Sequence, residues 1–126
     1  MIVGIVGAGA MGSGIAQIAA QTGWQVLLLD QSSERLAKSA DQLASVCDRL
    51  VEKERLESVE SVAMQERIVR TTDLQNLASC HLIIEAIVED FDAKKGVFQA
   101  LEEIVGESTI LATNTSSLSV TGLAGV

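Results

Sequence analysis

The glycine spacing at the amino end constrains this chain more than any other feature. Ile2–Val6, an apolar run of strand character, leads straight into Gly7-Ala8-Gly9-Ala10-Met11-Gly12, and a helix-like run follows. A second apolar run, Val26–Leu29, ends at Asp30, eighteen positions after Gly12. Each glycine has its own use in a strand–turn–helix unit. Gly7 permits the tight turn, Gly9 lets backbone approach a diphosphate, and Gly12 lets the helix pack against the strand. The helix then aims its first N–H groups and the positive end of its dipole at an anion. The plainer alternative is a glycine-rich turn with no ligand. The strand before, the helix after and the acid at the end of the second strand argue against it and imply dinucleotide binding.

Asp30 bears on which dinucleotide. A carboxylate at that point accepts hydrogen bonds from both ribose hydroxyls and repels a 2′-phosphate. Gln31, Ser32 and Ser33 supply no cation, and Arg35 lies a helical turn further on. NAD is therefore preferred to NADP.

Strand-like runs recur at Ile2–Val6, Val26–Leu29, Arg67–Arg70, Leu82–Ala86 and Thr109–Thr113, with helical spacing between them. That alternation predicts an α/β fold of the Rossmann type, a doubly wound parallel sheet with helices on both faces. The expected strand order is 3-2-1-4-5, with the ligand across the carboxyl ends of strands one and four. The first helix is expected from about Met11 to Gln21, stopping at Gly23. The second opens with Ser32 or Ser33 as N-cap and carries Leu36, Ala40, Leu43, Cys47, Leu50 and Val51 on one stripe. It is long, and with the segment Glu57–Glu66 it reads as a helical hairpin inserted between strands two and three. After the fourth strand, Glu89, Asp90 and Asp92 precede an amphipathic helix through Val97, Phe98, Leu101 and Ile104, where early negative charge suits the helix dipole.

With 126 residues the chain has the length of one domain, residues 1–126, and 48% hydrophobic content suffices for one core. Aliphatic side chains and alanine must fill it, because the aromatics are only Trp24, Phe91 and Phe98. A formal charge of −8 argues against nucleic acid or an anionic membrane as partner. It also opposes long-range attraction of an anionic cofactor, so binding must rely on local donors. Met1–Ala20 is apolar enough to be mistaken for a signal or a membrane span. It lacks a basic start and carries five glycines, and a strand–turn–helix unit explains all of it. Cys47 and Cys80 form no C-x-x-C pair and are expected as free thiols in a cytoplasmic protein. His81 is the lone histidine, and with no second histidine and no C-x-x-C pair there are too few ligands to build a metal site, so a structural role and no metal are expected.

Three further segments carry a family resemblance. They are Ile83-Ile84-Glu85-Ala86-Ile87-Val88-Glu89, then Lys94, then Thr113-Asn114-Thr115-Ser116-Ser117-Leu118. With the glycine loop and Asp30 they resemble, over essentially the whole chain, the NAD-binding domain of the L-3-hydroxyacyl-CoA dehydrogenases, nearest the bacterial 3-hydroxybutyryl-CoA type. The resemblance implies an oxidoreductase of fatty acid metabolism that interconverts L-3-hydroxyacyl-CoA and 3-oxoacyl-CoA with NAD. It implies that Gly7, Ala8, Gly9, Ala10, Met11 and Gly12 cradle the pyrophosphate and that Asp30 holds the adenosine ribose. Glu89 and Lys94 would sit beside the nicotinamide end. Ser116 would orient nicotinamide and the substrate's 3-oxygen, and Lys53 would stand near the CoA phosphates.

Each of these residues also has a simpler reading. Asn114–Ser117 can serve as the N-cap of a helix starting near Leu118. Glu89 can be a first-turn acid, and Lys94 a solvated partner of Asp90. Glu85, inside an apolar strand, is either paired or at the mouth of a cleft. Arg49, Lys53 and Arg55 can be one solvated helix face.

The family's proton-transfer histidine, in a Gly-x-His-Phe-x-x-Pro segment, and its partner glutamate are not in this sequence and are expected beyond Val126. The helical domain that closes on substrate and forms the dimer is expected there too. His81 precedes the fourth strand and matches no such motif. These residues alone are therefore expected to bind NAD without turnover, since a positioned acid or base contributes about 10²–10⁴-fold in rate. The open fifth strand and bare helix faces favour self-association. Two alternatives stand beside this one: another β-hydroxyacid dehydrogenase, and a stand-alone NAD(H)-binding regulatory module.

Overall fold

A computed structural model describes residues 1–86, 91–105 and 109–113, with the backbone alone at 91–95, 98 and 113. Its elements run β1 (Ile2–Val6), α1 (Ala10–Gln21), β2 (Gln25–Leu29), α2 (Ser33–Glu52), α3 (Ser58–Glu66), β3 (Ile68–Thr71), a 3₁₀ helix (Leu74–Ser79), β4 (Leu82–Glu85), α4 (Phe91–Ile104) and β5 (Ile110–Thr113). The sheet is five-stranded in the order β3-β2-β1-β4-β5, and every adjacent pair is parallel. The expected order and the hairpin α2–α3 between the second and third strands are both present.

Alternation along the central strands builds the two layers. Val3 and Ile5 of β1 and Val26 and Leu28 of β2 pack with Ala16, Ala19 and Ala20 of α1, with Leu36, Leu43 and Cys47 of α2, and with Met64 of α3. The alternate residues Val6 and Leu29 pack the opposite way, with Leu77, Cys80, Ile83 and Leu101. Residues two apart on a strand share a face, so one apolar run serves two cores. Alanines on α1 let that helix lie close to the sheet. On the other face Gly4 does the same for the 3₁₀ segment: a Cβ there would stand 2.9 Å from the Cys80 Sγ.

Along the α2 stripe Leu36, Leu43 and Cys47 are buried and Ala40 is half-buried, and the last turn, with Leu50 and Val51 half-buried, is less covered. Buried Ser39 shares that face, and its Oγ accepts from the Ser13 Oγ at 2.9 Å, tying α2 to α1.

The boundaries differ from expectation by a residue at several ends. Arg67 does not open β3: its N–H bonds to Ala63 O and Met64 O and closes α3. The 3₁₀ helix was not evident in the sequence. Asp73 starts it, its Oδ1 accepting from the Gln75 N–H at 3.0 Å, and Leu77 anchors it in the core. His81 has the structural role expected of it. Its Nδ1 accepts from the Ile2 N–H at 3.0 Å, locking the entry of β4 to that of β1. Cys47 and Cys80 are free thiols, both buried.

Candidate functional site

The site is built at the carboxyl ends of β1 and β2. After Val6 the chain turns at Gly7, whose φ of 110° lies in the left-handed region that favours glycine. The turn is held to the neighbouring strand by the Gly7 N–H donating to Leu29 O at 2.7 Å. Gly9 is the N-cap of α1, and having no side chain it leaves the first helical turn uncapped by its own residue. A Cβ on Gly9 would meet nothing within 4 Å, so this backbone borders open space from which a ligand can approach. Gly12 is the opposite case: a Cβ there would collide with the Gly7 carbonyl oxygen. The turn at Gly7 and the close packing at Gly12 are those that the spacing predicts, and Gly9 leaves open space beside its backbone.

Asp30 follows β2 and is buried. Its Oδ2 accepts from the Ala8 N–H at 2.8 Å and its Oδ1 from the Ser32 N–H at 2.8 Å. The carboxylate is thereby fixed in orientation, one oxygen to the glycine turn and one to the start of α2. A carboxylate has about four acceptor positions, so two such bonds leave capacity for sugar hydroxyls.

Beside it opens a cavity of about 520 Å³, lined by Gly7, Asp30, Gln31 and Arg35 on one side and by Leu74 and Val97 among others on the far side. It has the size and mixed character of a site for a nucleoside-sized ligand. The sequence reading missed two parts of its wall. The 3₁₀ helix contributes Leu74, and α4 contributes Gly96, Val97 and Ala100. The helical spacing of Val97 pointed to core packing, and half-exposed wall positions share that spacing.

Arg35 is a correction. It was set aside as a turn away from Asp30, yet its Nη1 stands 3.7 Å from the Asp30 Oδ1. The cause is the cap: the Ser32 Oγ accepts from the Arg35 N–H at 3.2 Å, so α2 begins at once and its first turn brings residue 35 back over residue 30.

Of the other expected site residues, Ala8 is buried against Asp30, and Ala10 and Met11 are exposed on the first turn of α1. Lys94 belongs to α4, with its side chain outside the described part. Glu89 and Ser116 lie outside the described residues, as does the segment 114–118. Lys53 is the exposed C-cap residue of α2, its N–H on Arg49 O, and takes no part in lining the cavity beside Asp30. Glu85 is fully buried at the carboxyl end of β4, in register with Val6 and Thr113.

A second cavity, of about 530 Å³, lies between α1, α2 and β3. Lys38, Arg49 and Arg70 line it along with Ser13 and Ser39. The Arg70 Nε is buried there without a hydrogen-bond partner, and burial holds that guanidinium below its ordinary pKa. Among the described residues no three or more of His, Cys, Asp and Glu are grouped to hold a metal, and no helix is long and apolar enough to cross a membrane.

A doubly wound parallel sheet whose first glycine turn is bonded to an acid at the end of the second strand defines a dinucleotide-binding domain. This chain belongs to the 3-hydroxyacyl-CoA dehydrogenase NAD-binding domain family, whose pattern it matches over residues 2–126. It is 44% identical, over 98% of its own length, to a probable 3-hydroxybutyryl-CoA dehydrogenase of Deinococcus radiodurans, of which it covers 44%. It is 38% identical to the 3-hydroxyadipyl-CoA dehydrogenase of Escherichia coli over 97% of its length, covering 26% of that protein. Among solved structures, the (S)-3-hydroxybutyryl-CoA dehydrogenase of Ralstonia eutropha superposes with a TM-score of 0.93 at 41% identity, over 98% of this chain and 44% of that one. The chain thus spans less than half the length of these relatives.

Proposed function

We propose that this chain is the NAD-binding half of a cytoplasmic enzyme that interconverts L-3-hydroxyacyl-CoA and 3-oxoacyl-CoA, and that the whole enzyme is a homo-oligomer. The observation that carries this reading is the buried Asp30 carboxylate, bonded to the glycine turn and facing a cavity of nucleoside size. Family membership supplies the reaction class.

In this reading NAD, when bound, would supply the acceptor or donor of the hydride. The chain's own residues would hold and orient it. Gly7 to Gly12 offer backbone N–H groups and the positive end of α1 to the pyrophosphate. Asp30 accepts from the adenosine ribose. By the family resemblance, Glu89 and Lys94 would serve the nicotinamide end, Ser116 would orient both nicotinamide and the substrate's 3-oxygen, and Lys53 would serve the CoA phosphates. Proton exchange at the 3-hydroxyl needs a positioned acid or base. The one histidine, His81, is at the amino end of the parallel sheet, away from Gly7 and Asp30 at the carboxyl ends. In this reading, which follows the family resemblance, the general base is supplied from outside these 126 residues.

Calorimetric titration with NADH, paired with an assay of NADH oxidation by acetoacetyl-CoA, tests both halves of the proposal. Saturable NADH binding without turnover by this chain is the expected result. Absence of NADH binding contradicts the cofactor site. Clear turnover contradicts the placing of the general base elsewhere.

A further inference from the structure

At the glycine turn the Gly7 N–H donates to Leu29 O and the Ala8 N–H to the Asp30 Oδ2, whereas the Gly9 N–H donates to no group among the described residues. What aims that N–H sits at the other end of its own peptide. The Ala8 carbonyl oxygen accepts from the Ser13 Oγ at 3.1 Å. No peptide among the described residues is cis, and in a planar trans peptide the carbonyl and the N–H point in opposite directions. Ser13 therefore holds the Ala8–Gly9 peptide with its N–H turned away from the Ser13 hydroxyl. Glycine offers little steric resistance to rotation of that peptide, so the hydroxyl is what limits it.

We propose that Ser13 is a positioning residue for the pyrophosphate: by holding Ala8 O it presents the Gly9 N–H to a phosphate oxygen. The proposal rests on the reading of the glycine turn as the cofactor site. Open space beside Gly9 leaves room for that oxygen to approach. Ser13 itself touches no ligand in this arrangement and acts only through the Ala8–Gly9 peptide. Its hydroxyl also has a rival acceptor, the buried Ser39 Oγ at 2.9 Å. One hydroxyl carries one proton, so the two bonds compete for it. Removing the Ser39 oxygen leaves that proton to Ala8 O and tightens the hold on the turn. A plain tie between α1 and α2 has the opposite consequence, because it is lost whichever serine is removed.

Calorimetric titrations of the native chain, Ser13→Ala and Ser39→Ala with NADH separate the two. Ser13→Ala should weaken NADH by about fivefold, the worth of one neutral hydrogen bond. Ser39→Ala should bind NADH at least as tightly as the native chain. Amide spectra of the isotope-labelled chain at saturating NADH add a readout that a loss of stability does not move. In Ser13→Ala the shift induced at Gly9 should shrink, while the shift at Ser32, beside Asp30, stays. Equal affinity losses in the two variants, an unchanged affinity in Ser13→Ala, or a Gly9 shift that keeps its native size there would each overturn the inference. A native chain that binds no NADH overturns the cofactor reading beneath it, a result distinct from the other three.

Discussion

The Asp30 carboxylate and the Ala8 amide, twenty-two residues apart, are joined by a buried hydrogen bond of 2.8 Å. That bond makes the glycine turn and the end of β2 one unit, so the shape of the loop and the position of the Asp30 carboxylate are set together. Asp30→Ala removes the acceptor and leaves the N–H groups of Ala8 and Ser32 unpaired. Urea unfolding should show a loss of about 1–3 kcal/mol, the cost of stranding buried donors. NADH affinity should fall by tenfold or more, on the order of one lost charged hydrogen bond. A stability loss without an affinity loss would remove Asp30 from the cofactor site.

Gly12 and Gly14, two positions apart on α1, should respond in opposite directions to alanine. A methyl group at Gly12 meets the Gly7 carbonyl, a backbone atom that cannot rotate aside, whereas at Gly14 it meets nothing within 4 Å. Gly12→Ala should destabilise by about 3 kcal/mol or more, at the upper end for overpacking. Gly14→Ala should stabilise by roughly 0.5–1 kcal/mol through helix propensity. Thermal melts of the two variants decide it, and equal effects would contradict the packing described.

The consequence of the cap on α2 is local. Ser32→Ala removes the acceptor for the Arg35 N–H and should cost about 1 kcal/mol. Because the Asp30 carboxylate is held by the Ser32 backbone N–H and not by its hydroxyl, the variant should change NADH binding little. Denaturant unfolding and a titration with NADH measure the two effects separately.

Burial in the core pushes the Cys80 thiol from its ordinary 9.0 up to about 11. The unfolded chain ionises at the lower value and the native chain at the higher one. Stability from this group is therefore full below pH 9 and falls as pH rises toward 11, by roughly 2–3 kcal/mol in total. Comparing the slope of stability against pH for the native chain and Cys80→Ala isolates it. A native slope no steeper than the variant's between pH 9 and 11 contradicts the burial argument.

Much of this architecture was legible because local rules and tertiary packing agree. The alternation Val3–Ile5 against Gly4–Val6, the glycine spacing and the stop at Gly23 are each short-range signals, and the order of the sheet follows from parallel crossovers. What was not legible depends on contacts without periodicity. The 3₁₀ helix rests on an aspartate turn at Asp73 and on one buried side chain, Leu77. Arg67 reads equally well as a strand residue until its N–H is seen closing α3. Arg35 was misjudged because distance along the chain was taken for distance in space, when a helix begun at Ser32 returns three residues later to the same side. Ser39 was not singled out in the sequence, because its burial depends on Ser13 of α1 opposite it and not on any periodicity.

The central claim is that NAD lies along the Gly7–Gly12 turn with its ribose on Asp30. Amide chemical-shift changes in the isotope-labelled chain on addition of NADH test it residue by residue. The account predicts the largest shifts at Ala8, Gly9, Met11, Gly12 and Ser32, with smaller ones at Leu74 and Val97 across the cavity. Saturable binding whose shifts fall instead on the α2–α3 hairpin or on the cavity beside Arg70, with the glycine turn unmoved, would contradict it.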